Sequence, residues 1–196
     1  MKIIIKFSFI FIFFLTTTPC IAKNPTDFII DITESASNIL KENIPLDQKA
    51  QKLIEIAETA VDIDGIGLYS LGQYRKSIND QQLSEYKVLF RKYFLKSFSS
   101  RLSQYSDPKI DVLSENIINE KYTIVSSILV ETEDRPEIKI DWRVYTKNPS
   151  KPLIRDLIIE GLSLARTQRE EFNSVIQGAD GDVNALFVNL ENFNSK

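Results

Sequence analysis

The hydrophobic pattern of this chain has two periods. From residue 110 to 160 apolar residues recur at every second position, and on either side they recur every three to four. The stretch 137–145, EIKIDWRVY, shows the shorter period most clearly. Ile138, Ile140, Trp142 and Val144 alternate with Lys139, Asp141 and Arg143, so the segment reads as a strand with one dry face and one wet face. The same reading puts strands at 110–117, 122–131 and 153–160. They are separated by the turn signals Asn119-Glu120, Asp134-Arg135-Pro136 and Asn148-Pro149-Ser150. Connections this short predict an antiparallel meander. In the second strand Tyr122, Ile124, Ile128 and Val130 share a face. In the fourth, Leu157 and Ile159 face one way and Ile154 and Ile158 the other, and both pairs read as buried.

The longer period predicts helices. Phe28, Ile32, Ala36, Ile39 and Leu40 form a stripe over 24–44, with Pro25 at its start and Pro45 past its end. A second helix follows Asp47 as cap and carries Ala50, Leu53, Ile54, Ala57, Ala60 and Val61 on one side. A third, short helix lies in 62–72, where Gly65, Gly67 and Gly72 allow close packing; no Lys-Ser/Thr follows, so this is not a phosphate loop. Asn79 and Gln82 make a capping box for a long helix reaching about Tyr105. Its stripe is Leu83, Tyr86, Phe90, Phe94, Phe98 and Leu102, an aromatic ridge that suits either a wide core or a cavity wall. Thr167 and Glu170 make a further capping box for a helix ending at Gly178. A last helix carries Val183, Leu186, Phe187 and Leu190.

Helices, one antiparallel sheet and helices again make an α+β domain. A curved four-stranded meander with helices over its concave face forms a cone, which either fills with side chains or encloses an apolar ligand.

The amino terminus adds a compartment. Lys2 and Lys6 flank a short basic region, Phe7 to Leu15 is apolar apart from Ser8, and Cys20-Ile21-Ala22 offers small residues for cleavage. Residues 1–22 read as a cleaved signal peptide, too short in its apolar run for the ~20 residues of a membrane span. Residues 23–196 then form one exported domain. The rival reading of Cys20 as a lipid-modified cysteine meets Pro19 where a small residue is wanted.

Composition removes several chemistries. The chain has no His, and its one Cys is Cys20. The exported part therefore has no disulfide, no Cys nucleophile, no Ser–His pair and no Cys/His zinc site; neither cofactor nor metal is expected. A net charge of −3, more acidic still without Lys2 and Lys6, favours neither nucleic acid nor anionic membranes.

Four landmarks carry a resemblance. They are Leu71-Gly72-Gln73-Tyr74; Phe90, Phe94 and Tyr105 in the long helix; IIEGLSLARTQREEF at 158–172, with Glu160, Gly161, Ser163, Arg169 and Phe172; and QGADGDVNAL at 177–186. In this order, behind a signal peptide, the chain resembles the MlaC family, also called the toluene-tolerance auxiliary family, over residues 27 to 193. The resemblance implies an NTF2-like cone. It also implies a monomeric periplasmic carrier that holds a phospholipid by its acyl chains. Such a carrier moves lipid between an outer-membrane lipoprotein complex and an inner-membrane ABC transporter, maintaining outer-membrane lipid asymmetry. The sequence departs from the family pattern at Arg75, where a Trp is usual, near Pro152, and in the spacing of Gly178 and Gly181.

Physics agrees with a cargo. A diacyl lipid exposes on the order of 30 methylenes, costing ~25 kcal/mol in water, so a soluble carrier must hold its tails dry. The expected wall comprises Leu68, Leu71, Tyr74, Phe90, Phe94 and Phe98 from helices, and Ile124, Ile128, Val130, Ile138, Ile140, Trp142, Val144 and Ile158 from strands. Asp156, Glu160, Gly161, Arg169 and Phe172 are expected as a structural motif. Arg169 either pairs with Asp156 or Glu160 or meets a lipid phosphate. Two alternatives stay open: a carrier of another hydrophobic molecule, such as a quinone or hopanoid, and an NTF2-like enzyme using Asp156 and Glu160.

Overall fold

The computed structural model describes residues 23–196; the expected signal peptide, 1–22, lies outside the described residues. Asn24 opens the first helix, α1 (Pro25–Lys41), by accepting from the Thr26 N–H, with Pro25 in the first turn, where its missing donor costs nothing. Helix α2 (Leu46–Ala60) begins at Pro45, not at Asp47. The Asp47 carboxylate lies in the first turn beside the positive end of the helix instead of capping it. Helix α3 (Ile63–Ser70) is capped by Asp62 and runs into a 3-10 turn, Gly72–Lys76. The Asn79–Gln82 capping box is formed in both directions and opens α4 (Asp80–Leu102). Among the described residues no helix is long and apolar enough to cross a membrane.

The α+β class and the antiparallel meander stand as expected, but the sheet has five strands, not four. They are β1 (Ile110–Asn119), β2 (Tyr122–Leu129), β3 (Ile138–Tyr145), β4 (Leu153–Ile159) and the two-residue β5 (Leu162–Ser163), hydrogen-bonded in sequence order. The extra strand arises because Glu160 (φ 49°) and Gly161 (φ 81°) turn the chain back on itself, pairing Ser163 with Ile158. Helix α5 (Leu164–Gln177) then starts directly from Ser163, four residues before the expected Thr167 cap. The Ser163 hydroxyl caps the Arg166 N–H, and Thr167 donates back to the Ser163 carbonyl. The final helix is α6 (Asn184–Ser195).

Two clusters make up most of the core. The larger is helical: Ile63, Ile66 and Leu71 meet Tyr86 and Phe90 of α4, Phe172 and Ile176 of α5, and Leu186, Phe187 and Leu190. Phe172 meets Tyr86 and Phe90 edge-on, at ring-centre distances of 6.5 and 6.1 Å, a favoured aromatic geometry. The smaller cluster lies under α1, where Phe28 and Ile29 pack on Val125, Val144 and Ile154. Val61 touches both, because the α2–α3 junction runs beside β4 as a brief parallel neighbour.

Arg155 fastens that junction. Its Nε donates to Asp62 at 2.6 Å, its Nη1 to the Tyr122 hydroxyl at 2.8 Å, and its guanidinium stacks 3.6 Å from the Tyr145 ring centre. Burial works against the charge, but hydrogen bonds to Tyr122 and Asp62 and the Asp62 charge outweigh it and hold the guanidinium above its ordinary pKa.

Candidate functional site

Strand register decides which residues can share a surface, since directly opposed residues project to the same side. Val125 lies opposite Trp142, Ser127 opposite Ile140, and Leu129 opposite Ile138. Across the next pair, Trp142 faces Leu157 and Ile140 faces Ile159. A bulge at Arg155 then brings Ile154, not Arg155, opposite Val144. All these side chains, Ile154 included, point to the inner face, the one α1 packs on. The expectation that Ile154 and Ile158 share a side therefore fails: one inserted residue breaks the period of two.

The same register corrects the expected wall. Ile124 is opposite Arg143, Ile128 opposite Lys139, and Ile158 opposite Asp141. These isoleucines, and Val130 by continued alternation, occupy the outer face and cannot share a cavity with Ile140 and Trp142. On β2 the dry positions are Thr123, Val125, Ser127 and Leu129. A shift of one residue exchanges the faces, and the isoleucine pattern pointed the wrong way because the inner face uses two hydroxyl residues.

The Ser127 hydroxyl is satisfied in place. The Trp142 indole N–H donates to Ser127 Oγ at 2.8 Å, and the Ser127 hydroxyl donates to the Ile140 carbonyl at 3.1 Å. Ser127 is only 2 % exposed, so this chain of bonds is what makes a hydroxyl tolerable there. The indole is thereby tied to β2.

The helical side of the wall divides along α4. Tyr86 and Phe90 are sealed in the helical cluster; the Tyr86 hydroxyl donates to the Gly67 carbonyl, and burial, with Tyr93 adding, pushes its pKa far above the ordinary phenol value. Leu71 is sealed there too, Tyr74 packs against the cluster, and Leu68 is half-buried in α3. Further along α4, Phe94 and Phe98 are half-buried and stacked, 5.9 Å apart and 10° from parallel. Helix α4 packs on α2, α3 and α6, and only slightly if at all on the strands. Leu40, Leu53, Ala57, Leu129 and Ile140 are buried but belong to neither cluster. The inner face and helices α1 and α2 thus carry buried apolar side chains that neither cluster contains. Val144 sits in the cluster under α1 and Trp142 packs against it; Ile138 and Ile140 carry the inner face beyond that cluster.

The structural motif is only partly as expected. Asp156 is 4 % exposed and accepts from Ser163 Oγ at 2.6 Å and the Ala165 N–H at 3.0 Å, holding the start of α5 to β4. Its nearest cation is Arg143, at 3.8 Å. Glu160 accepts from the Lys139 N–H. Arg169 pairs with neither. Its guanidinium lies over the Tyr69 ring, 5.3 Å from the centre, and against Gly72. Arg169 thus lies on the side of α5 that packs against α3. Among the described residues no group of three or more His, Cys, Asp or Glu could hold a metal ion. Leu157, Ile159, Leu129 and Ser127 were missing from the expected wall; the register alone reveals them.

A family model described as MlaC protein matches residues 26–192. Among solved structures the fold is similar to that of a phospholipid-binding protein from Ralstonia solanacearum, determined in complex with a phospholipid. The TM-score is 0.73 at 17 % identity, over 88 % of this chain and 98 % of that chain. The likeness in structure establishes the fold. The family match runs from the first helix into the last and includes both the sheet and the helices that face it, and on that ground the chain belongs to the MlaC family.

Proposed function

We propose that this protein is a periplasmic phospholipid carrier that holds acyl chains in the layer between the sheet's inner face and helices α1, α2 and α4. The observation that carries the reading is the apolar inner face: Ile140 and Leu129, with Leu53 of α2, are buried outside both clusters, and Phe94 and Phe98 of α4 are half-buried and stacked. Filling such a layer with methylenes offsets the ~0.8 kcal/mol each would cost in water. Transfer between bilayer and protein is then nearly balanced, so a small bias at each docking partner sets direction. The reading leaves the head group in water and includes little head-group selectivity. Family membership and the phospholipid in the Ralstonia protein support the choice of cargo.

The same reading makes the chain a monomeric binding protein, not an enzyme, since Asp156 and Glu160 are both tied to backbone N–H groups. It serves an outer-membrane lipoprotein complex and an inner-membrane ABC transporter, and is exported by cleavage after Ala22. Organic extraction of protein purified from its own periplasm, followed by mass spectrometry, tests the cargo. About one diacyl phospholipid per chain is expected; a quinone, a hopanoid or an empty extract overturns the reading. Amino-terminal sequencing should begin at Lys23.

A further inference from the structure

Three of the four sequence landmarks that carried the family resemblance meet away from the apolar layer. Gly72 and Gln73 from the 3-10 turn and Arg169, Glu170, Asn173 and Gln177 from α5 line one surface pocket of about 300 Å³, floored by Leu71. Gly72 adopts φ +56°, and a Cβ there would sit 2.9 Å from Arg169 Nε, so the guanidinium can lie along the turn only because this residue is glycine. The Tyr69 ring holds its other side. Arg169 is thus positioned by two neighbours and neutralised by neither.

We propose that this pocket docks an acidic peptide segment of a protein partner. Arg169 forms no ion pair among the described residues, and neither do Arg75 and Lys76 in the same 3-10 turn as Gln73. In a chain of net charge −3 these exposed cations make a local site for a carboxylate, which a guanidinium can grip with two parallel bonds. The rest of the lining selects among anions. Gln73, Asn173 and Gln177 each present a donor and an acceptor, and none of their side-chain amides is hydrogen-bonded among the described residues. A peptide group also carries one of each, whereas a phosphate mostly accepts. Glu170 in the lining repels a compact anion, but can accept from peptide N–H groups. The site lies outside the acyl-chain layer and is independent of which lipid the protein carries.

The test follows side-chain NMR signals of 15N-labelled protein, residues 23–196, titrated with an acetylated, amidated decapeptide of alternating glycine and glutamate. The Arg169 Nε–H signal and the amide signals of Gln73, Asn173 and Gln177 should move together and saturate. Arg169→Gln and Asn173→Asp should each weaken the apparent affinity by about tenfold or more, with unchanged melting and lipid content. The glutamine version of the peptide should not bind. Absence of saturating shifts, an affinity in both variants equal to that of the unsubstituted protein, or movement of the same signals by inorganic phosphate or phosphatidylglycerol vesicles but not by peptide would overturn the proposal. Lipid content measured on the same samples reports separately on the carrier function.

Discussion

Trp142 is bonded across the sheet to Ser127, indole N–H to hydroxyl oxygen, on the face that α1 partly covers. The bond makes the only Trp of the chain a fixed reporter of the inner face. Delipidation should shift Trp142 emission to the red, and added phospholipid should reverse the shift. Ser127→Ala should cost about 1 kcal/mol and broaden the emission, because the indole loses its anchor. Identical spectra for loaded and stripped protein would remove Trp142 from the lipid layer.

The α4 ridge should divide when tested residue by residue. Phe90 is 2 % exposed and packed on Phe172, so Phe90→Ala should cost about 3–5 kcal/mol by cavity formation. Phe98 is half-buried and lies outside both clusters. Phe98→Ala should cost well under half as much in stripped protein, yet reduce the lipid retained after purification. Denaturant titration and extraction, run on both variants, check this; equal destabilisation would place Phe98 in the packed core.

The start of α5 gives a sharper comparison. Ser163→Ala removes a helix cap and one of the bonds to the buried Asp156, and should cost about 2 kcal/mol. Thr167→Ala removes only a bond from within the helix and should cost less than about 0.5 kcal/mol. Thermal melts of the two variants decide between the caps; a larger loss at Thr167 would restore the later start.

Arg155→Met should loosen the α2–α3 junction from β4. It leaves Asp62 part-buried without its cation and removes the stack on Tyr145, at a cost of about 2–3 kcal/mol. Hydrogen exchange should rise most at Asp62, whose N–H bonds to the Ile154 carbonyl.

Alkaline pH tests the sealed end of the ridge. The Tyr86 phenol has a raised pKa in the folded protein, through burial and Tyr93, so the native state keeps a proton that the unfolded chain releases. That stability is complete below about pH 10, the unfolded phenol value, and is lost as pH rises beyond it. Tyr93 is shifted the same way, chiefly by burial. Unfolding above pH 10 should therefore be steeper than in Tyr86→Phe; parallel curves would mean that Tyr86 ionises freely.

Local patterns in the chain determined much of this protein. Asn24, Asp62 and Asn79 cap helices where side chains compete for the first free N–H groups, and this chemistry reaches only three residues. The antiparallel meander followed from alternation and short turns, and the α4 stripe from its 3.6-residue period. Four landmarks in order were enough for the family resemblance. What only the tertiary structure decided was side and partner. Ile124 looked drier than Ser127, but register with β3 turned Ile124 outward and Ser127 inward, where Trp142 satisfies it. The Arg155 bulge moved Ile154 to the inner face, and the Glu160–Gly161 turn added β5 and drew the start of α5 back to Ser163. Arg169 pairs with neither Asp156 nor Glu160 and is set against Gly72, a residue nearly a hundred positions away in the chain. Alternation states that two faces exist; which face is dry depends on the strand opposite and the helix above, and neither is encoded within the segment itself.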